Sequence, residues 1–262
     1  MRAPVVIGIR DSGVGGLTVA RRIREQIPGA DLLYFADTAH VPYGEKSPAQ
    51  IRHYALSISQ FLIEQGAQII VFACNTTSAL ALEAARARFE PPIYGVIEPG
   101  ARLAAQVSSG KIGVLATAAT VSSRIYTREI RACRPDLETL EIACPALVPL
   151  VEAGEIASRA AFQACQQYLA PLLDFGADTV VLGCTHYPLL LQTLQTIAPR
   201  IRFIDPAQSL ALDIAAQLGP VEARATNDIF YVSGARGGFG EWAAQLLEIS
   251  APHIETGPIF DL

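Results

Sequence analysis

Eight short runs limit what this chain can become: "PVVIGI", "LLYFAD", "QIIVFA", "PIYGVI", "KIGVLA", "TLEIAC", "DTVVLG" and "RIRFID", starting at residues 4, 32, 68, 92, 111, 139, 178 and 200. They are apolar at nearly every position, so a strand made from one of them must be covered on both faces. Segments of helical length lie between them, and a strand, helix, strand alternation winds a parallel sheet between layers of helix. The expected class is therefore α/β. With 262 residues, 51% of them hydrophobic, the chain can bury one large core or two modest ones.

An internal echo favours two. Sliding the sequence by 110 residues lays "FLIEQGAQIIVFACNTTSAL" (61–80) over "PLLDFGADTVVLGCTHYPLL" (171–190), matching Leu62/Leu172, Gly66/Gly176, Ala67/Ala177, Val71/Val181, Cys74/Cys184 and Leu80/Leu190. A shift of 105 sets "VIGIRDS" (6–12) over "KIGVLAT" (111–117), pairing Ile7 with Ile112, Gly8 with Gly113 and Ser12 with Thr117. Two pseudo-symmetric three-layer halves with parallel sheets follow, related by an approximate two-fold axis, with a site at their interface. The boundary is expected near "IEPG" (97–100), giving one domain of residues 1–97 completed by 208–262 and a second of 98–207. Ligands of open parallel sheets bind beyond the carboxyl ends of the strands. Cys74, Cys184 and the Asp11–Ser12 pair belong at those ends.

Charge and cysteine usage exclude several classes. A net charge of −5 without a basic run gives no surface for nucleic acid or an anionic membrane. The longest stretch without Asp, Glu, Lys or Arg, 179–199, holds Gly183, His186 and Pro188 and reads as a buried strand and helix rather than a membrane span. The N-terminal apolar run is too short for a secretory leader. Five cysteines with no C-x-x-C pair fit a reducing cytoplasm, and four scattered histidines offer no metal-ligand grouping.

A free cysteine at a strand end is ordinarily a packing residue, and Cys133, Cys144 and Cys165 take that reading. Cys74 and Cys184 differ, because polar "NTT" and "THY" follow them where strand gives way to helix. Unpaired N–H groups at a helix N-terminus favour a thiolate, so a lowered thiol pKa is expected at both. Two such thiols facing each other across a two-fold axis suit racemisation, in which one base takes an α-hydrogen and the opposite acid returns a proton. "DSGVGG" (11–16) lacks the G-x-G-x-x-G dinucleotide pattern, since Thr18 stands where the third glycine would be, leaving an anion-binding turn or a structural one. Asp11 either caps the following helix or assists Cys74. Asp37 and Ser47 are helix-cap candidates. His186 is either a helix-start residue or a proton partner of Cys184, and Glu152 alone reads as a solvated carboxylate.

Taken in order, "DSGVGGLTV", "YFADTAHVPYGEKS", "ACNTTSA", "IEPG", "PLVEAGE", "GCTHYPLL", "DPA" and "FYVSG" closely resemble the glutamate racemases of bacterial cell-wall synthesis. The resemblance covers almost the whole chain. It implies a cofactor-independent interconversion of L- and D-glutamate that supplies peptidoglycan synthesis, in the cytoplasm. It implies Cys74 and Cys184 as the acid/base pair, Asp11 assisting Cys74, and His186 and Glu152 assisting Cys184. Substrate-binding positions carried over are Asp11, Ser12, Tyr43, Gly44, Asn75, Thr76, Thr185 and His186. Family members differ in how they associate, and a homodimer is the expected assembly. No metal is implied, and of the two lysines Lys46 lies in a polar loop and Lys111 at a strand start. The rival readings are a relative acting on aspartate and a non-catalytic carboxylate or phosphate binder.

In one place the chain departs from the pattern: Arg10 stands where the family usually has an apolar residue. Strand alternation should turn it away from the side of Asp11; beside Asp11 it would instead keep that carboxylate ionised and weaken it as a proton acceptor. Activity is expected with Arg10 in place, and a racemisation assay of Arg10→Phe should register no large gain.

Overall fold

All eight runs form strands in the computed structural model, which describes residues 4–235 and 237–261. Met1–Ala3, part of the segment read for a leader, lie outside the described residues. The chain opens with β1 (Val6–Asp11), α1 (Leu17–Gln26), β2 (Asp31–Ala36), α2 (Pro48–Glu64), β3 (Ile69–Phe72), α3 (Asn75–Arg88) and β4 (Ile93–Gly95). It continues with α4 (Ile97–Val107), β5 (Lys111–Ala116), α5 (Ala118–Ser123), α6 (Ile125–Cys133), β6 (Glu138–Ala143), α7 (Leu147–Glu152), α8 (Arg159–Phe175), β7 (Thr179–Gly183), α9 (Leu191–Ile197) and β8 (Arg202–Ile204). It closes with α10 (Pro206–Leu218), β9 (Ile229–Val232), α11 (Phe239–Leu247) and β10 (Ile254–Thr256). None of the described helices is long and apolar enough to cross a membrane.

The two sheets are wound alike. One runs β10-β9-β2-β1-β3-β4 and the other β6-β5-β7-β8, with every pairing parallel. Dropping β9 and β10 leaves the same order twice, the first strand of each half between its second and third. The register repeats as well: Gly8 pairs with Ile70 and Gly113 with Val180, positions offset by the shifts of 105 and 110 read from the sequence. Gly66 and Gly176, matched by the same shift, both take positive φ, +98° and +81°, where they end α2 and α8 before the next strand. A residue with a Cβ is strained in that region, which accounts for glycine at both.

Helices cover both faces of each sheet. Residues of α2 and α3 pack on one face of the first sheet, and those of α7, α8 and α9 on the outer face of the second. Between the sheets a shared core takes Ile7 and Ile9 from β1, Ile112 and Val114 from β5, and apolar residues of α1, α4, α6 and α10. The "IEPG" motif is the first turn of α4 rather than a linker, so the chain passes between halves along a packed helix. The eight runs missed β9 and β10, which extend the first sheet beside β2. Both are short, at four and three residues, and β10 carries a charged Glu255 in its middle.

The two matched glycines differ in what surrounds them. A Cβ on Gly8 would lie 2.9 Å from the Ala67 Cβ, next to the backbone, whereas one on Gly113 would meet chiefly the tips of Leu172 and Val180. Gly8→Ala is therefore expected to cost about 1–3 kcal/mol, and Gly113→Ala less, because leucine tips can move. Urea unfolding of the two variants checks the order.

Candidate active site

The strand ends of the two sheets open onto one cavity of about 130 Å³. Ser12 and Cys74 reach it from just beyond β1 and β3, and Thr117 and Cys184 from the matching places after β5 and β7. Both cysteines thus share a single enclosure. Tyr43, Gly44, Asn75, Thr76, Thr185 and His186 line it as well. Asp11 and Glu152 stand behind the lining, each in contact with a group that belongs to it.

Close approach of backbone explains the glycine turn. A Cβ on Gly13 would lie 2.7 Å from Glu152 Oε1, one on Gly15 2.5 Å from His186 Nδ1 and Thr185 Oγ1, and one on Gly16 2.4 Å from the Asp11 Cβ. None of the three has positive φ, so the space, not the backbone angle, requires glycine. The turn is a seat for the second half's polar side chains. Thr18 Oγ1 donates to the Gly15 carbonyl at 2.8 Å and lies 3.1 Å from the Thr185 carbonyl, fastening the seat at the start of α1.

Asp11 is fully buried and accepts from Gly13 N–H at 3.0 Å and from Thr185 Oγ1–H at 3.3 Å. Burial raises its pKa above the usual aspartate value, against the opposing pull of His186 and the backbone N–H groups. Asp11 makes these bonds at the turn and to Thr185 across the interface.

Cys74 is the residue before α3, yet its side chain makes no capping bond to the helix. Burial pushes the thiol up from its ordinary value and the nearby Asp11 carboxylate adds to the rise, while Arg10 and one backbone bond at Thr77 oppose it. This overturns the expected lowering by the helix N-terminus: a single N–H and a dipole do not offset complete removal from water next to an anion. Cys184 departs from expectation differently. It precedes a 3-10 turn, Tyr187–Leu190, with α9 starting only after that.

Beyond Cys184 runs a chain of contacts. His186 Nδ1 lies 3.7 Å from Cys184 Sγ, and its Nε2 lies 2.7 Å from Glu152 Oε1 at the end of α7. Burial alone would lower the histidine pKa, but the bonds to Cys184 and Glu152 outweigh it and hold His186 well above the ordinary value. Glu152 is also desolvated, and its bond to His186 still brings it below the usual glutamate range. A charged imidazole can move a proton to or from Cys184 while Glu152 fixes the ring.

The loop after β2 is built for placement. Ser47 caps α2, with its hydroxyl accepting from Gln50 N–H and the Gln50 side chain accepting in return. Asp37 is not a cap: it accepts from Tyr43 Oη–H, from Ser233 Oγ–H at 2.8 Å, and pairs with His40 Nδ1 at 2.9 Å. These bonds hold Tyr43 and Gly44 over the cavity. Asn75 and Thr76 are fixed across the interface, Asn75 by Tyr126 Oη at 2.6 Å and Thr76 by Thr117 Oγ1 at 2.9 Å.

Arg10 is wholly buried on the face away from Asp11, as alternation required. It sits 5.2 Å over the Phe72 ring and donates to Tyr43 Oη at 3.2 Å, leaving Nε and Nη1 unpartnered.

Thr117, Pro145, Val148 and Cys144 also line the cavity, although only Thr117 had a sequence signal, its match to Ser12. Cys144 and Cys165 are buried, the latter with its thiol pushed up to about 11, in keeping with a packing role. Cys133, expected to pack, is exposed at the end of α6. Among the described residues no group of His, Cys, Asp or Glu is arranged to hold a metal ion.

Residues 15–213 match the model of the Asp/Glu/Hydantoin racemase family. The chain belongs to that family. A glutamate racemase of Geobacter metallireducens is 44% identical over 240 residues, 89% of either chain. The solved glutamate racemase isoform of Bacillus anthracis superposes with a TM-score of 0.92 at 32% identity, covering 97% of this chain and 98% of that one. That of Francisella tularensis, determined with D-glutamate, gives 0.89 at 29% identity, again with 97% and 98% coverage.

The His186–Glu152 pair sets a pH window. The contribution of a histidine whose value is raised by folding is complete below the ordinary 6.5 and is lost as pH climbs through the raised value. That of a glutamate whose value is lowered is present above the ordinary 4.5 and is lost as pH falls through the lowered value. Melting temperatures of the wild type and Glu152→Gln should differ most between those limits and converge toward strongly acid and strongly alkaline pH.

Proposed function

We propose that this racemase-family chain interconverts L-glutamate and D-glutamate by a two-base mechanism without a cofactor, Cys74 and Cys184 serving as the bases. The observation carrying the reading is the shared cavity into which equivalent strand ends of two like-wound sheets deliver the two sulfurs. One thiolate removes the α-hydrogen from one face of the substrate carbon as the opposite thiol donates to the other. With the sulfurs exchanged in role, the same site runs the reverse direction. The division into residues 1–97 plus 208–262 and 98–207 belongs to this reading, each domain contributing one sulfur.

The α-hydrogen of an amino acid is a weak acid, so the base has to be strong. A thiol pKa raised by burial, as at Cys74, yields a scarcer but more basic thiolate. His186, braced by Glu152, relays the proton at Cys184, and Asp11, whose charge reaches Cys74 without a direct bond, assists there. Ser12, Asn75, Thr76 and Thr185 supply neutral donors and acceptors around the cavity, with Tyr43 and Gly44 on its other wall. Donors fixed in a water-poor enclosure stabilise charge developing on the α-carboxylate without having to reorganise. The product would enter peptidoglycan synthesis in the cytoplasm, and a homodimer is the proposed assembly.

Incubation with L-glutamate in deuterated water tests the reading. Deuterium should enter at the α-carbon as D-glutamate accumulates, and L-aspartate should be converted far more slowly. Cys74→Ala and Cys184→Ala should each lower the rate by about 10²–10⁴-fold, the range for a positioned acid or base. A chain that binds glutamate yet exchanges no hydrogen would be the carboxylate binder instead.

A further inference from the structure

The internal symmetry that places the two cysteines fails directly beneath one of them. In the first sheet Arg10 pairs with Phe72, two residues before Cys74; at the matching rung of the second, Leu115 pairs with Leu182, two residues before Cys184. Side chains two apart on a strand share a face, and Phe72 and Cys74 lie in one buried cluster as Leu182 and Cys184 do in another. One cysteine thus has a guanidinium on its side of the sheet, and the other has leucine. Packing does not require the cation, since Leu115 fills the same place in the second half with full burial.

The guanidinium is under-supplied with partners. It is 0% exposed, its Nε and Nη1 have none, and Nη2 reaches only Tyr43 Oη. Two aromatic faces, Phe72 at 5.2 Å and Tyr43 at 5.7 Å, offset part of its desolvation. Buried charge of this kind persists where an anion answers it. Asp37 is reached only through Tyr43, and Asp11 points to the opposite face of β1, bonded to the turn and to Thr185. Cys74 is the remaining group able to become an anion on the guanidinium's side.

We infer that Arg10 is a positioning residue for Cys74, a permanent counter-charge that sustains its thiolate where the second half uses His186 for Cys184. This rests on the reading of Cys74 as a base. The charged and titratable groups around Cys74 are Asp11 and Cys184, which oppose its ionisation, Arg10, which favours it, and Tyr34 and Tyr43, both held neutral. His186, through its effect on Asp11, is felt from the other half. Arginine does not titrate near neutrality and histidine does. The two sulfurs are therefore provisioned differently, one independently of pH and one not.

Arg10→Met and Arg10→Lys test this in the full-length protein. The rate at which iodoacetamide alkylates Cys74, followed by mass spectrometry across pH, reports its thiolate fraction without requiring turnover, and thiolate ultraviolet absorbance measured against Cys74→Ala reads the same quantity if the reagent is excluded. Arg10→Met should shift the Cys74 midpoint upward by about one unit, a roughly tenfold loss of thiolate at neutral pH, and leave the Cys184 profile in place. Arg10→Lys should restore most of it. The methionine protein should melt no lower than wild type, because an incompletely paired buried charge has been replaced by an apolar chain. An unshifted Cys74 profile in folded Arg10→Met overturns the inference, as does equal slowing at both cysteines with a lowered melting temperature. Racemisation surviving in Cys74→Ala would instead refute the base assignment, whatever the alkylation shows.

Discussion

Contact between the turn after β1 and the polar side chains of the second half is the constraint on which the site depends. Glu152 occupies the volume that a side chain at Gly13 would fill, and Thr185 and His186 that of one at Gly15, while Gly16 makes room for Asp11 and Tyr34. The glycines let the halves meet closely enough for Thr185 to reach Asp11 and for the cavity to include both sulfurs. Backbone that approaches a functional group this tightly has few substitutes for glycine. The same segment is therefore structural joint and active-site wall.

From that joint follows an electrostatic division of labour. Removing two thiols, two carboxylates and a histidine from water is costly unless each finds a partner. His186 and Glu152 answer each other, and the Gly13 N–H and Thr185 hydroxyl answer Asp11. Cys74, lacking a histidine of its own, is left with its thiol pushed up by burial and a guanidinium on its side of the sheet. A chain wound twice in the same way thus gives its two cysteines unlike neighbours, a histidine braced by a carboxylate beside one and a guanidinium on the same side of the sheet as the other.

Much of this was readable in the residues. Continuous apolar runs announced β1 to β8, and two offsets in the self-comparison already contained the ladder registers of Gly8 and Gly113. Pattern failed where an element owes its existence to its neighbours: β9 pairs with the edge of β2, and β10 in turn with β9. The direction of the Cys74 shift is not legible locally, because a helix terminus is a local feature while desolvation and the Asp11 charge depend on the assembled fold. Cys144 and Val148 reach the cavity through the path of the segment after β6, which no spacing announces. Asp37 has the local signature of a cap, but its partner Ser233 is distant in sequence.

The place of β9 in the first sheet has a temporal side. Its partner β2 ends at Ala36, so a ribosome must add nearly two hundred further residues before that edge is paired, whereas all four strands of the second sheet emerge between Lys111 and Ile204. The later half of the cavity can close around its own core during synthesis, while the earlier half waits with β2 open on one side. An unpaired strand edge invites foreign strands, and here it would stay open for most of translation. Nascent chains of this protein should lean on holding chaperones more for their opening third than for their middle.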